Sequence, residues 1–326
     1  MTKQALNISI LIAYGLFLVI SFTSLAGCEQ LKETSFVRTT YHAFYKSPHH
    51  PHQQLWGRMR ENFEIAHTQV HPKGQPHIQK YVKKFSQEEK ALTKISAQAT
   101  PYLYYIVEQL EKRNMPAELA LLPMIESAFQ PQATSHRGAA GLWQFIPSTG
   151  RLYGLKQDDW YDGRRDIQAS TKAALDHLEF LHQEFDHNWM LALAAYNAGE
   201  GTVHRAIQKN KRKGLPITFW DLNLPKETRE YVPKFLALVQ IIGNPDKHAV
   251  SLPRIENKPY FVPVNPGVPL HLHQAAKLAG VDIQELKKLN PGYRRARMHP
   301  NTKEFQEILL PVANREQFEY NLAKKR

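Results

Sequence analysis

At 326 residues the chain has room for one large domain with appendages or for two domains. Its 42% apolar and 22% charged content excludes a disordered chain and describes an ordinary globular protein with a sizeable core. With 42 lysines and arginines against 30 acids, the formal charge of +12 suits an anionic partner such as nucleic acid, a membrane surface or an acidic polymer. The basic residues are scattered, though, and only residues 209–213 (KNKRK) are dense. No zinc-ligand spacing, phosphate-binding glycine loop or RNA-binding aromatic motif accompanies them, so no nucleic-acid partner is expected.

Lys3 precedes an apolar run over residues 8–22, a length that fits a signal-peptide core and is short for a membrane span. The run ends in Leu25-Ala26-Gly27-Cys28, which resembles the lipobox of bacterial lipoproteins. Residues 1–27 then read as a signal peptide, and Cys28, the only cysteine, as the carrier of a lipid anchor in a membrane. A plain signal anchor with a buried cysteine is the alternative. Removing residues 1–27 takes away Lys3 and no acid, leaving a charge of +11 (41 minus 30). Glu29 stands where an aspartate would signal inner-membrane retention, which favours the outer membrane. Residues 28–52 read as a tether. His49, His50 and His52 lie within it without nearby carboxylates, so a linker is expected rather than a metal site, and no cofactor is expected elsewhere.

Residues 53–114 read as an N-terminal helical region. Trp56, Met59 and Phe63, then Ile78, Tyr81, Val82 and Phe85, then Leu92, Ile95 and Ala99 recur at three- and four-residue spacings. Pro101 opens a further helix with Leu103, Ile106, Val107 and Leu110 on its core face. A second helical domain is expected over 115–250. Pro116 suits a first helical turn, and Leu119, Leu122, Met124, Ile125 and Phe129 form an apolar face that reaches a single acid, Glu126. Pro123 falls inside this pattern and predicts a bend one turn before the acid. After the cluster Gly141-Leu142-Trp143-Gln144-Phe145, Asp166 is placed to cap a long amphipathic helix. Residues 189–198 (WMLALAAYNA) are apolar all round, hence a buried helix that ends in Tyr196-Asn197 and is closed by Gly199 and Gly201. Residues 225–233 lead into a last apolar helix over 234–242. Almost nothing alternates with period two, so the fold class is mainly α. From Pro253 the pattern changes to a small β-α-α-β unit over 253–312, with strands at 260–264 and 308–311 and helices at 272–279 and 283–289. A charged tail, helical or frayed, occupies 313–326.

Glu126 sits beside Ile125 and Phe129 and, if the next loop folds back, Trp143 and Phe145. Burial penalises a carboxylate, so its pKa should rise toward neutrality, where a protonated acid can donate to a leaving-group oxygen. A buried ion pair with Arg137 or Arg165 is the other reading of the same residues.

Glu126-Ser127, Gly141-Leu142-Trp143-Gln144, Ala195-Tyr196-Asn197-Ala198-Gly199 and Tyr231 stand in the order and spacing of soluble lytic transglycosylase domains, relatives of goose-type lysozyme. The chain resembles that family over about 53–250, and more loosely to about 311. The resemblance implies a lysozyme-like fold with a glycan groove. It implies cleavage of the β-1,4 bond between N-acetylmuramic acid and N-acetylglucosamine in peptidoglycan strands, with closure of a 1,6-anhydro ring instead of addition of water. Glu126 would protonate the glycosidic oxygen and then take the proton of the muramyl C6 hydroxyl. Ser127 would contact the glycan, Gln144 would bond an N-acetyl or hydroxyl group, and Trp143 and Phe145 would form apolar walls. Tyr196 and Asn197 would line the opposite wall, and Tyr231 would position the acid or the muramyl sugar. Trp143 and Phe145 as plain core, and Tyr231 as an ordinary helix-entry contact, are the competing readings.

Water-using glycosidases generally flank the bond with two carboxyls, whereas the loop after Glu126 has no acid before Asp158, Asp159 and Asp162. That suits an intramolecular nucleophile, although a distant aspartate could fold back. A muramidase using water and a non-catalytic wall-binding lipoprotein are the alternatives. The C-terminal unit resembles a LysM glycan-binding module through Tyr260-Phe261-Val262, residues 275–281 and residues 285–292. It reads Asn265-Pro266-Gly267-Val268-Pro269 where such modules place Gly-Asp-Thr or Gly-Asp-Ser, so packing or spacing competes with glycan binding as its role.

Overall fold

The computed structural model describes residues 54–67, 71–298 and 307–325. The expected signal peptide, Cys28 and the histidine-bearing tether lie outside them. Helices α1 (Leu55–Glu61), α2 (Gln75–Gln87), α3 (Glu89–Gln98) and α4 (Leu103–Lys112) make up the N-terminal helical region. Their apolar spacing puts Trp56, Met59, Ile78, Leu92, Ile106 and Leu110 on inward faces, where all are buried.

A 3₁₀ turn over Ala117–Leu121 passes directly into the short α5 (Leu122–Glu126). Pro123 therefore stands in the first turn of α5, where a missing N–H is no loss. It marks the change from 3₁₀ to α winding, not the bend inside one helix that the sequence pattern predicts. Helices α6 (Pro147–Leu152), α7 (Ile167–Glu184), α8 (Trp189–Ala198), α9 (Glu200–Arg212) and α10 (Lys226–Gly243) complete the domain. Asp166 caps α7 as predicted, accepting the Ala169 N–H at 2.7 Å. Buried α8 is the centre, with α7, α9 and α10 packed around it. Gly199, at φ +82°, turns the chain from α8 straight into α9, and Gly201 belongs to α9 instead of closing α8.

Helix α10 begins two turns before the expected 234–242 and runs through Pro233. An interior proline costs roughly 3 kcal/mol. Full burial of one Phe returns roughly 2–3 kcal/mol, and α10 buries Phe235 together with Val232, Leu238 and Val239 as it packs on α2 and α8. Packing wins, and Tyr231 consequently sits inside a helix.

In the C-terminal unit, β1 (Phe261–Val264) pairs antiparallel with β2 (Ile308–Pro311), Phe261 opposite Pro311 and Val264 opposite Ile308. Between them lie α11 (Leu272–Ala279) and α12 (Ile283–Leu289). Helix α13 (Arg315–Ala323) follows, and its Phe318 is fully buried in the same small core as Leu272, Leu286, Ile308 and Leu310. The tail is a packed helix, not a frayed one. Helical domain and C-terminal unit belong to one compact body over His52–Arg326. The Tyr161 and Tyr293 rings meet edge-on at 5.5 Å. The Asp162 N–H reaches the Gly292 carbonyl, and the Arg294 N–H reaches the Trp160 carbonyl, both at 2.9 Å.

Candidate active site

Glu126 closes α5, and the chain leaves it through two residues in the left-handed region, Ala128 (φ +50°) and Phe129 (φ +56°). The Pro123 carbonyl accepts the N–H groups of both Ser127 and Phe129, at 3.1 and 3.0 Å, which stops the helix at the acid. Each such non-glycine residue costs about 1 kcal/mol, and the burial of Phe129 holds the turn.

The Glu126 carboxylate accepts the Tyr231 hydroxyl of α10 at 2.5 Å. Burial pushes the Glu126 carboxyl up from 4.5 to about 7; the Tyr231 hydrogen bond opposes the rise and the Glu227 charge adds to it. Burial and the Glu126 charge in turn hold the Tyr231 hydroxyl well above its usual range, so it stays a donor. Glu126 makes no ion pair with Arg137 or Arg165. Arg165 instead bonds Thr134 Oγ1 at 2.5 Å and lies 3.7 Å from Asp162. The ion-pair alternative falls.

A groove of about 860 Å³ opens beside Glu126, lined also by Gln144, Tyr196, Asn197 and Tyr231. The loop that carries Gln144 is pinned from several sides. Ser127 Oγ donates to the Leu142 carbonyl at 2.9 Å, Tyr196 Oη donates to the Trp143 carbonyl at 2.9 Å, and Gln144 Nε2 donates to the Gly141 carbonyl at 2.8 Å. Arg164 grips Asp162 with two bonds of 2.9 and 2.8 Å and reaches the Gly138 carbonyl at 2.7 Å. Gly141 sits at φ +86°, and a Cβ there would lie 1.9 Å from the Arg164 carbonyl oxygen. Only glycine lets the two segments meet.

Three of the expected site residues, Trp143, Phe145 and Ser127, are buried. Trp143 is fully buried, its Nε1–H donating to Thr171 Oγ1 at 3.0 Å, and Phe145 is 3% exposed. Their rings belong to the core, and both residues still border the groove. Ser127 is buried as well, with its hydroxyl turned into the loop, so it ties the acid's turn to the Leu142 segment instead of facing a ligand. Asn197 does line the groove, with Oδ1 accepting from Thr228 Oγ1 at 2.8 Å.

The groove also holds residues that the motifs did not flag: Tyr153, His177, Phe180, Glu200, Glu227 and Lys234. Glu227 precedes Tyr231 by four residues, the spacing that puts two side chains on one helix face, and that signal was readable had α10 been traced back through Pro233. Glu200 carries no comparable pattern. Among the described residues no cluster of three His, Cys, Asp or Glu side chains could hold a metal ion. No described helix is long and apolar enough to cross a membrane.

A helical domain whose groove centres on one desolvated acid is the arrangement of a lysozyme-like SLT domain. The transglycosylase SLT domain profile matches residues 104–216, and the LysM-like domain profile of lytic transglycosylase MltD matches residues 260–326. Membrane-bound lytic murein transglycosylase D of Escherichia coli (strain K12) is 42% identical over 246 residues, 76% of this chain and 54% of that protein. A candidate tributyltin chloride resistance protein of Alteromonas sp. (strain M-1) is 45% identical over 164 residues, 50% of this chain and 77% of that protein. The soluble lytic murein transglycosylase of Escherichia coli (strain K12) is 28% identical over 116 residues, 34% of this chain and 18% of that protein. The chain belongs to the lytic transglycosylase family that carries the SLT domain. It spans about half the length of the Escherichia coli transglycosylase D.

Proposed function

We propose that this chain is a peptidoglycan lytic transglycosylase with Glu126 as its one acid–base group. The supporting observation is the carboxyl of Glu126, raised to about 7, bonded to Tyr231 and open to a groove large enough for a glycan. At neutral pH a large share of such a carboxyl is protonated and can transfer its proton to the glycosidic oxygen as the C1–O bond breaks. The carboxylate left behind, steadied by the Tyr231 hydroxyl, then takes the proton of the muramyl C6 hydroxyl as O6 bonds C1. The ring closes without water. Gln144, Tyr196 and Asn197 are assigned to glycan contact, and Tyr231 to positioning the acid.

A muramidase using water is the second reading, favoured by the Glu200 and Glu227 carboxylates in the same groove. Digestion of purified sacculi by the wild-type protein and by Glu126→Gln separates the two. Muropeptides ending in anhydromuramic acid from the wild type, and none from the variant, are expected. Reducing muramic acid ends would make it a hydrolase, and substantial cleavage by Glu126→Gln would remove the acid from its role.

The wider setting of the proposal is a lipoprotein attached through Cys28 to a membrane, the outer one favoured by Glu29, with a basic body facing an anionic wall polymer.

A further inference from the structure

Two units of one chain move independently unless an apolar interface fixes them. Here their cores interlock. Phe261, Leu289 and Leu309 of the C-terminal unit are buried in the core of the helical domain, where the Phe261 and Tyr105 rings lie 5.4 Å apart. In the other direction, Tyr161 of the helical domain is buried in the small core around Leu272, Leu286 and Phe318. A module that only retained the chain on glycan would work as well on a flexible linker. The fixed docking therefore serves something besides retention.

The docking leads to the groove through one loop. Residues 160–162 pair with residues 292–294 as a short antiparallel bridge, Tyr161 opposite Tyr293, and the Arg295 guanidinium lies over the Trp160 ring at 4.4 Å. Next to Tyr161, the buried Asp162 carboxylate collects Arg164 at 2.8 Å, Arg165 at 3.7 Å and, from the C-terminal unit, Arg294 at 3.5 Å. Burial would raise the Asp162 carboxyl, yet the bonds and charge of Arg164 and the charge of Arg294 hold it below its usual range. It is an anion that fixes Arg164. Arg164 Nη1 in turn donates to the Gly138 and Phe145 carbonyls at 2.7 and 3.3 Å, at the two ends of the segment that carries Gln144. Gln144 lines the groove at φ +51°, a left-handed conformation that a residue with a side chain keeps only where its surroundings hold it.

We propose that the C-terminal unit is a brace for the groove: residues 292–294 hold Asp162, Asp162 holds Arg164, and Arg164 keeps the Gln144 segment in its groove-lining conformation. Asp162 and Arg294 are then positioning residues that act on Gln144 through Arg164 and touch no ligand themselves. The catalytic consequence rests on the transglycosylase reading of the groove; the mechanical one does not.

The test uses the full chain and two readouts. One is hydrogen exchange over 138–145, where the Ala140 and Gly141 N–H groups are bonded to the Phe145 and Ala133 carbonyls. The other is cleavage of soluble, uncrosslinked peptidoglycan strands, on which retention at a wall has no bearing. Gly292 has no positive φ, and a Cβ there would meet the Tyr161 ring at 2.9 Å, so Gly292→Val strains the docking and not its own backbone. Asp162→Asn adds no volume and removes the anion that fixes Arg164. Each should speed exchange over 138–145 about tenfold, leave α8 unchanged, and lower kcat on soluble strands about tenfold. Unchanged exchange over 138–145 in both variants overturns the brace. Activity lost on sacculi but intact on soluble strands overturns it as well, and makes the unit a wall-binding module. Should Gly292→Val unfold the C-terminal unit, as exchange in α13 would show, Asp162→Asn decides between these outcomes. A wild-type protein that releases no anhydro ends from sacculi sinks the transglycosylase reading alone, because the exchange result does not depend on it.

Discussion

Replacing Glu126 by Gln measures the desolvated acid with no substrate present. In the folded protein the carboxyl sits at about 7, against 4.5 for the exposed group of an unfolded chain. Between those two values the folded state holds a proton that the unfolded state has released, so stability falls as pH rises through that window and stays lower above it. The gap of 2.5 (7 minus 4.5), at about 1.36 kcal/mol for each pH unit, sets a ceiling of roughly 3 kcal/mol. Glu126 is half-buried and faces the groove, which lets solvent screen its charge, and a realistic share is about 1–2 kcal/mol. Gln carries no charge at any pH and keeps an oxygen for the Tyr231 hydroxyl. Glu126→Gln should therefore match the wild type at pH 4 and exceed it by about 1–2 kcal/mol at pH 8. For a body of this size that is a gain in Tm of roughly 3–6 °C. Thermal unfolding followed by circular dichroism at both pH values reads it. The same offset at pH 4 and pH 8 would mean that folding leaves the carboxyl unshifted, and a loss at pH 8 that the fold favours the anion; either result ends the acid argument.

Tyr231→Phe removes the hydrogen bond that holds the Glu126 carboxyl down, so the alkaline limb of kcat/KM on solubilised glycan should move up by about one pH unit, from a charge-assisted bond of about 1.5 kcal/mol or more. A midpoint that stays put or moves to lower pH speaks against Tyr231 as the positioning residue. Phe318→Ala opens a cavity in the C-terminal core and should cost about 3–4 kcal/mol in denaturant titrations. A cost under about 1 kcal/mol would return α13 to the status of a frayed tail.

The sequence was most legible where one physical rule acted alone. Three- and four-residue spacing placed α2, α4 and α7, an unbroken apolar run placed α8, and the carboxyl of Asp166 before an apolar run marked the start of α7. It misled where two rules competed. Pro233 reads as a boundary by local preference, yet the burial of Phe235 and Val232 carries α10 through it. Trp143 and Phe145 left groove wall and core as competing readings, and both apply: the bonds of Ser127 and Tyr196 to the Leu142 and Trp143 carbonyls hold the segment with its rings in the core while both residues border the groove. Glu126 itself was visible as an acid in an apolar run; the groove carboxylates Glu200 and Glu227 were not, since each lies on a polar helix start that looks like any solvated first turn.

That second omission changes what the lone acid means. Glu227 and Tyr231 stand four residues apart on α10 and act on Glu126 in opposite directions, the charge of one raising its carboxyl and the hydroxyl of the other lowering it. Burial sets the level and α10 trims it, so the carboxyl rests at about 7, where both its forms are populated at neutral pH. A group that must give a proton and then take one back needs that balance, and a second carboxylate is useful there as a fixed charge even if it never touches a proton. The SLT match ends at residue 216, before α10 begins. The acid thus lies inside the matched domain while the helix that adjusts it lies beyond. Because the packing of α10 on α2 and α8 carries the helix through Pro233, two residues after Tyr231, both adjusting groups stay on one element beside Glu126.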